Sequence, residues 1–351
     1  MPPIKENDTV AVTGANGFIG SHVIKFLIGK NFKIRACVRS TGKNDCKVEH
    51  LKKIGGSNIT FFTGCDLEVE GSFDEAFKGA NAVVHTAARV HERWSNELIS
   101  SHVQGTKNVV KAAKNSCSVT RFIQTSSIAA IIDPFKYADK SNGLHEFDEK
   151  DCNTTTDPNA TGDFYGYAKK IAEEIALEAG NDKDTGFDTV VINPSVVIGE
   201  CLCKQHTKAS PVFIRQMLYG NEQPLIYFSW VDAEDVAEAH YLALVTESET
   251  VAGERFIISN DWHGTVEDVA ISFAQKVNME LANVVITPGW KNYLYWIMMT
   301  NYEVAMLNNA KLPVSNNKAK TILKMKFKSM LTSVKTTVDS MISNGWVKLK
   351  N

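Results

Sequence analysis

Thr9-Val-Ala-Val-Thr-Gly14-Ala-Asn-Gly17-Phe-Ile-Gly20 sets three glycines directly after a β-branched run and ahead of an amphipathic stretch that continues to about Ile28. Gly14 permits a tight turn, Gly17 lets the backbone come close to a pyrophosphate, and Gly20 lets the following helix lie close against the strand. The helix N-terminus adds unpaired N–H groups and the positive end of a dipole, which suit phosphate oxygens. A glycine triplet alone also arises for backbone reasons. With a strand before it and a helix after it, this one predicts a dinucleotide site.

Outward from the turn, further strands are expected at Lys33–Val38, Ile59–Thr63, Ala82–His85, Phe122–Thr125 and Thr189–Ile192, with helical patterns over about Asn96–Lys114 and Tyr165–Glu178. This alternation predicts an α/β fold of Rossmann type, a doubly wound parallel sheet with right-handed crossovers. After Pro194 the pattern turns irregular and then more helical, as expected of a smaller, mixed C-terminal substrate lobe. The expected organisation is a dinucleotide-binding domain over residues 1–195, with a return segment at about 229–262, and a lobe made of 196–228 and 263–351. The stretch from Asp133 to Asp163 is polar and turn-rich, and a loop of that length inside a compact domain reads as functional or disordered.

A length of 351 residues suffices for such a domain with an added lobe, and a formal net charge of −2 argues against a nucleic-acid partner. The seven cysteines show neither zinc-like nor CxxC spacing, Cys201 and Cys203 being separated by one residue, so reduced thiols in a cytoplasmic protein are expected. The N-terminus lacks the apolar stretch of a signal peptide, and no run of about 18 apolar residues predicts a membrane span. Tyr293–Met299 is too short to cross and reads as a core or pocket wall. Lys318, Lys320, Lys324, Lys326 and Lys328 read as the solvated faces of a terminal helix and strand.

The end of the second strand bears on the cofactor. NAD sites typically carry an acid there for the ribose 2′-hydroxyl, whereas a 2′-phosphate needs a cation. This chain reads Arg35-Ala-Cys-Val-Arg39-Ser-Thr-Gly-Lys43, with Lys47 beyond and no acid before Asp45. Arg39 can grip a phosphate with two parallel bonds, which favours NADP(H) over NAD(H). A solvated surface arginine is the plain alternative.

Tyr165-Gly-Tyr-Ala-Lys169 opens a helix, and a spacing of four puts both side chains on one face. A neighbouring ammonium and the positive ring of an oxidised nicotinamide favour the phenolate of a tyrosine. Tyr165 can then give a proton to the alkoxide left by hydride transfer, or remove it in reverse. Lys169 can also bond the nicotinamide ribose and so position the ring. Alone, such a pair is common on helix surfaces. Ser126 and Ser127 follow a strand at its carboxyl edge, where a hydroxyl can stabilise charge developing on a carbonyl oxygen, although serines there also serve as turn formers.

Together these residues resemble the extended short-chain dehydrogenase/reductases. The nearest branch is that of dihydroflavonol reductases, cinnamoyl-CoA reductases and fungal aldehyde or methylglyoxal reductases, and the likeness runs over nearly the whole chain. Val12 to Ser21 matches the branch's cofactor turn, which implies contacts from Gly14, Gly17, Phe18, Ile19 and Gly20. Cys37-Val-Arg39 matches its strand end and implies Arg39 as the NADP 2′-phosphate ligand, with Lys47 as a second cation and Lys43 as the runner-up. Asp66-Leu67 corresponds to the pair flanking the adenine. His85-Thr86-Ala87-Ala88 resembles the fourth-strand segment that touches the cofactor, His85 by itself reading as a core histidine. Thr125-Ser-Ser127 resembles the catalytic-serine segment and favours Ser127 over Ser126. Tyr165 through Ala172-Glu173 matches the active-site helix, with Tyr165 and Lys169 both catalytic and against the cofactor. Asn193-Pro194-Ser-Val-Val197-Ile-Gly199 resembles the stretch beside the nicotinamide, with Pro194 and Val197 in contact.

Val231 to His240 matches a late segment returning to the first domain, and its carboxylates read as a solvated helix start rather than a metal site. The chain departs from the branch at Glu200, where proline is usual, around Asp151–Asn153, where an aromatic residue normally follows the acidic pair Asp148-Glu149, and at Lys324, where glycine is common. The resemblance implies an NADP(H)-dependent reductase of a ketone or aldehyde, as a monomer or homodimer. A 3β-hydroxysteroid or sterol dehydrogenase is the second reading, prompted by the aromatic run Trp290–Met299. A nucleotide-sugar epimerase is a third, and a non-catalytic dinucleotide-sensing regulator, which would commonly lack the tyrosine or lysine, is a fourth.

Overall fold

The computed structural model describes residues 1–88, 95–133, 146–219, 227–265, 268–269, 271–272 and 313–347. Its strands are β1 (Thr9–Thr13), β2 (Lys33–Cys37), β3 (Ile59–Phe62), β4 (Ala82–His85), β5 (Arg121–Thr125), β6 (Asp188–Pro194), β7 (Val196–Ile198), β8 (Phe228–Asp232), β9 (Arg255–Ile258) and β10 (His263–Gly264). Seven of them form one sheet in the order β3-β2-β1-β4-β5-β6-β9, every neighbouring pair parallel. The doubly wound parallel sheet expected from the sequence is present. Every residue of β4, β5 and β6 is buried, as parallel strands covered on both faces require.

Alternation along β1 sends Val10 and Val12 to one face and Ala11 to the other. The first face packs against the helices Phe18–Gly29 and Ala233–Val245 through Ile24, Leu27, Val236 and Ala243. The second packs against Asn96–Asn115 and Phe164–Asn181 through Val109, Ala112 and Ala176. The chain winds outward from β1 to β3, returns, and winds the other way from β4. The carboxyl ends of β1 and β4 therefore part to leave a crevice, the usual ligand position in such sheets.

At the opposite end of β5, fully buried Arg121 pairs with Asp188 of β6 at 2.8 and 2.9 Å. Its remaining N–H groups reach the carbonyls of Ala243, Leu244 and Thr246, at the C-terminus of the Ala233–Val245 helix, and the Ser248 hydroxyl. Beyond β6, β7, β8 and β10 form a small mixed sheet, whose Trp230 and Ile198 share a core with Met217 of the Val212–Leu218 helix and with the Met330–Ser343 helix.

Two expectations are corrected. The carboxylates at the start of the Ala233–Val245 helix are not solvated: Asp232 caps the Glu234 N–H at 2.8 Å, and Asp232 and Asp235 are 2% and 3% exposed. Lys328 closes over them with its ammonium on Asp232 and Glu234 and its N–H on Asp235. Nor are the late lysines simply solvated on a helix and strand. Lys318 pairs with Glu254 and lies over the Phe256 ring, and residues 322–329 form no strand. Trp290–Met299 lies outside the described residues, as do Arg89–Trp94 and residues 134–145 of the long polar loop.

Candidate active site

Gly14 has φ +64, and a Cβ there would lie 2.8 Å from Ala87 Cα. A Cβ on Gly20 would meet the Gly14 carbonyl oxygen at 2.4 Å and Thr86 Oγ1 at 2.8 Å. These glycines let the turn lie directly against the Thr86–Ala88 segment after β4. The two are tied together: Thr86 Oγ1 donates to Thr13 O at 2.7 Å, and Ala87 N–H donates to Thr13 Oγ1 at 3.1 Å. Gly17 caps the Phe18–Gly29 helix with no side chain, and no acid stands in its first turn. The donors of that first turn are thus left for an anion, and the turn fits a dinucleotide pyrophosphate.

Arg39 follows β2 on the exposed surface, its carbonyl holding the Gly64 N–H at 3.1 Å. Lys47 Nζ donates to Ser40 Oγ at 3.3 Å, which brings the second cation beside Arg39. Asp45, the first acid of the segment, is drawn aside by Lys52 at 2.5 Å. Lys43 starts a short 3-10 turn and is exposed. Asp66 and Leu67 follow β3; Ser72 Oγ donates to Asp66 O at 2.7 Å, and Asn108 Nδ2 to Leu67 O at 2.7 Å.

Tyr165 is the second residue of the Phe164–Asn181 helix and Lys169 lies one turn on, its ammonium 5.9 Å from the tyrosine ring centroid. Tyr165 is partly exposed; Lys169 is buried, and donates to Thr125 O at 3.3 Å. Ser127 is partly exposed and caps the short Ile128–Ala130 turn by accepting the Ala129 N–H at 3.2 Å. Ser126 instead points into the protein, its hydroxyl buried without a partner. Pro194 ends β6 and is buried, and Val197 is buried in β7. Asn193 ties this edge to the serine segment, donating to Ser127 O at 3.1 Å and to Glu173 at 2.8 Å.

His85 closes the floor: Thr13 Oγ1 bonds its Nδ1 at 2.7 Å, and burial, reinforced by Lys169 and His102, pushes its pKa down to about 3. It is therefore a neutral, core-buried ring below Lys169. His102 sets its ring edge-on to Tyr165 at 6.3 Å.

A network not singled out from the sequence holds these pieces in register. Asp163 caps the helix by accepting Gly166 N–H at 2.8 Å and takes Asn153 Nδ2 at 2.5 Å. Asn153 in turn donates to Ala129 O and Ala130 O, both at 3.0 Å, so the Ser127 turn is fastened to the helix that carries Tyr165. Burial raises the Asp163 pKa. An aspartate immediately before a helical stretch is a recognisable cap signal. Nothing in the local sequence marks Asn153. One departure from the family pattern, Glu200, and one match to it, Glu149, also acquire roles. Glu200 pairs with Lys25 at 2.7 Å and its carbonyl accepts from His22 at 2.8 Å, while Glu149 accepts the Ile257 N–H of β9 at 2.9 Å.

A family model described as NAD dependent epimerase/dehydratase family matches residues 10–259. The chain belongs to that family. The expected likeness to the extended short-chain dehydrogenase/reductases and to their reductase branch is borne out. The chain is 32% identical over 262 residues to cinnamoyl-CoA reductase CAD2 of Medicago truncatula, covering 73% of this chain and 77% of that one. It is 32% identical over 277 residues to the putative NADPH-dependent methylglyoxal reductase GRP2 of Candida albicans, covering 73% and 79%. Among solved structures, Gre2 from Candida albicans in complex with NADPH superposes with a TM-score of 0.79 at 27% identity, over 96% of this chain and 99% of that one. Among the described residues, no helix is long and apolar enough to cross a membrane.

Proposed function

We propose that this chain is an NADP(H)-dependent reductase that converts the carbonyl of a small aldehyde or ketone into an alcohol. The observation that carries the reading is the convergence of Ser127, Tyr165 and Lys169 at the carboxyl edge of the sheet, linked through Thr125 and the Asp163–Asn153 network. The named activities of its relatives and the NADPH in the solved Candida albicans structure support it.

When bound, the nicotinamide supplies the hydride. Gly14, Gly17, Phe18, Ile19 and Gly20 would take the pyrophosphate, and Arg39 with Lys47 the 2′-phosphate. Asp66 and Leu67 would border the adenine, while Thr86, Ala87, Ala88, Pro194 and Val197 would line the path to the nicotinamide. Ser127, whose hydroxyl is open to the site, would hold the carbonyl oxygen, and Tyr165 would give that oxygen its proton. Lys169, whose ammonium lies 5.9 Å from the Tyr165 ring centroid, would hold the ribose and keep a positive charge beside the tyrosine as it gives up its proton.

We assign substrate choice to the lobe of 196–228 and 263–351, outside the 1–195 domain and its 229–262 return. The setting we infer is cytoplasmic, supported by seven free cysteines, with a monomer or homodimer as the working unit.

The test is a panel of aldehydes and ketones followed by NADPH absorbance, with NADH in parallel. NADPH oxidation by the native chain and a loss of about 10²–10⁴-fold in Tyr165→Phe are expected. Absence of nicotinamide binding, or undiminished turnover in Tyr165→Phe, would overturn the proposal.

A further inference from the structure

Three side chains outside the reductase site meet beside the glycine turn. His50 stands on the Glu49–Gly55 helix, and Cys203 and His206 cap and form the short Lys204–Lys208 turn in a Cys-Lys-Gln-His arrangement. One ligand atom from each lies within 4.8 Å of the other two, the only such group of three or more His, Cys, Asp or Glu among the described residues. The two imidazole rings are 5.2 Å apart, edge to face. The Ser21 hydroxyl lies 3.0 Å from His50 Nε2 and 3.5 Å from His206 Nε2. Burial raises the pKa of the Cys203 thiol, opposed by the backbone N–H groups of His206 and Gln205, so the sulfur carries its proton until a metal displaces it. His50 and Cys203 are only half-buried, which leaves an approach from solvent.

We propose that His50, Cys203 and His206 form a zinc site of two imidazoles and one thiolate, with the Ser21 hydroxyl or a water in the fourth position. Two nitrogens and a sulfur are the donor set of a borderline-soft, tetrahedral cation rather than of Mg²⁺ or Ca²⁺. Metal bonds of about 2.0–2.1 Å to nitrogen and about 2.3 Å to sulfur put tetrahedral ligand atoms roughly 3.3–3.7 Å apart, so the cluster contracts on binding by about 1 Å. Zn²⁺ displaces the Cys203 thiol proton to solvent as the Zn–S bond forms; nothing is oxidised or reduced. Coordination by His206 Nε2 moves that ring's proton to Nδ1 and gives up the long bond Nδ1 accepts from Leu202 N–H, at 3.2 Å.

The site is separate from the carbonyl chemistry but rests on the cofactor turn: Ser21 Oγ donates to Ala15 O at 3.0 Å, and His206 Nε2 lies 3.4 Å from Asn16 O. A bound ion would staple the glycine turn, the helix that follows the Arg39–Lys47 segment, and the 200–208 loop.

The experiment is titration of chelator-stripped full-length protein with Zn²⁺ by calorimetry and with Co²⁺ by absorption. One Zn²⁺ per chain, a melting temperature that rises with Zn²⁺ and falls back on chelation, and a thiolate-to-cobalt charge-transfer band are expected. Cys203→Ser should abolish that band, and His50→Asn, with folding checked by circular dichroism, should weaken Zn²⁺ binding at least about tenfold. Binding short of one ion per chain, a cobalt spectrum indifferent to Cys203→Ser, or unchanged affinity in folded His50→Asn would each overturn the site.

Discussion

Lys169 Nζ donates to the carbonyl of Thr125 at 3.3 Å, so the cation beside Tyr165 is anchored to the strand that ends in the serine pair. Removing the head group frees that carbonyl and the tyrosine together, which is why the strand end and the helix are best tested as one unit.

The serine pair offers the sharpest test. Ser126 Oγ is buried without a partner, whereas Ser127 is partly exposed. Ser127→Ala should lower kcat by about 10²–10³-fold, as loss of a donor to a developing oxyanion does. Ser126→Ala should leave kcat within roughly threefold and the melting temperature equal or higher, because an unsatisfied buried hydroxyl contributes no bond. Steady-state kinetics and thermal melts of both variants check this.

Arg39→Ala should raise KM for NADPH by about 10–100-fold and leave KM for NADH nearly unchanged, since charge-assisted hydrogen bonds contribute about 1.5–3 kcal/mol. Lys47→Ala, whose ammonium is held near Arg39 by Ser40, should act in the same direction and more weakly. Paired kinetics with the two cofactors measure both.

Asp163→Ala removes a helix cap and strands Asn153. A stability loss of about 1–2 kcal/mol is expected, with kcat falling more than KM rises because Ser127 and Tyr165 lose register. Asp163→Asn keeps an oxygen for Gly166 N–H but sets an amide donor against Asn153 Nδ2, so it should recover the cap and not the link to Asn153. Chemical denaturation alongside kinetics separates the two effects.

Asp235 carries a pH signature. Burial, opposed by the Lys328 N–H and ammonium and reinforced by Asp232 and Glu238, raises its pKa to about 7 from 3.8. Between those values the folded state holds a proton that the unfolded chain does not. This residue's contribution to stability therefore falls as pH rises from about 4 through 7. Asp235→Asn, which can still accept the Lys328 N–H, should gain more in melting temperature at pH 8 than at pH 4.5, by a few degrees on the order expected for a chain this long. Equal gains at both pH values would refute the assignment.

Lys324 sits at φ +58 in the left-handed region, where a Cβ costs about 1–2 kcal/mol. Lys324→Gly relieves that strain but frees the unfolded chain by about 0.4–1 kcal/mol, leaving a net gain of up to about 1 kcal/mol. A urea melt with unchanged slope and a higher midpoint is the expected result.

The sheet was legible because its central strands are covered on both faces. Ala82–His85 lies where its continuous apolar run puts it, and the glycine turn carries its own context. Tyr165 and Lys169 follow from a spacing of four on a helix whose start could be read. β9 escaped notice because its four residues carry no alternation, and it is recognisable only beside β6. The buried acids at 232 and 235 read as solvated because Lys328, which covers them, arrives from more than ninety residues away. Asn153 stayed invisible for a similar reason: its meaning lies in carbonyls of a turn that only the folded chain brings near.

Arg121 bears on how the molecule is assembled. Its guanidinium is buried at the amino end of β5, yet its carbonyl partners come from residues 243, 244 and 246. A nascent chain that has emerged only as far as β6 holds the Arg121–Asp188 pair without those carbonyls and without the Ala233–Val245 helix that covers it, so that face of the sheet is left open to water. A fragment ending at residue 195 should behave as a loosely packed intermediate, because the Ala233–Val245 helix and β9 that complete the sheet and its core lie beyond it.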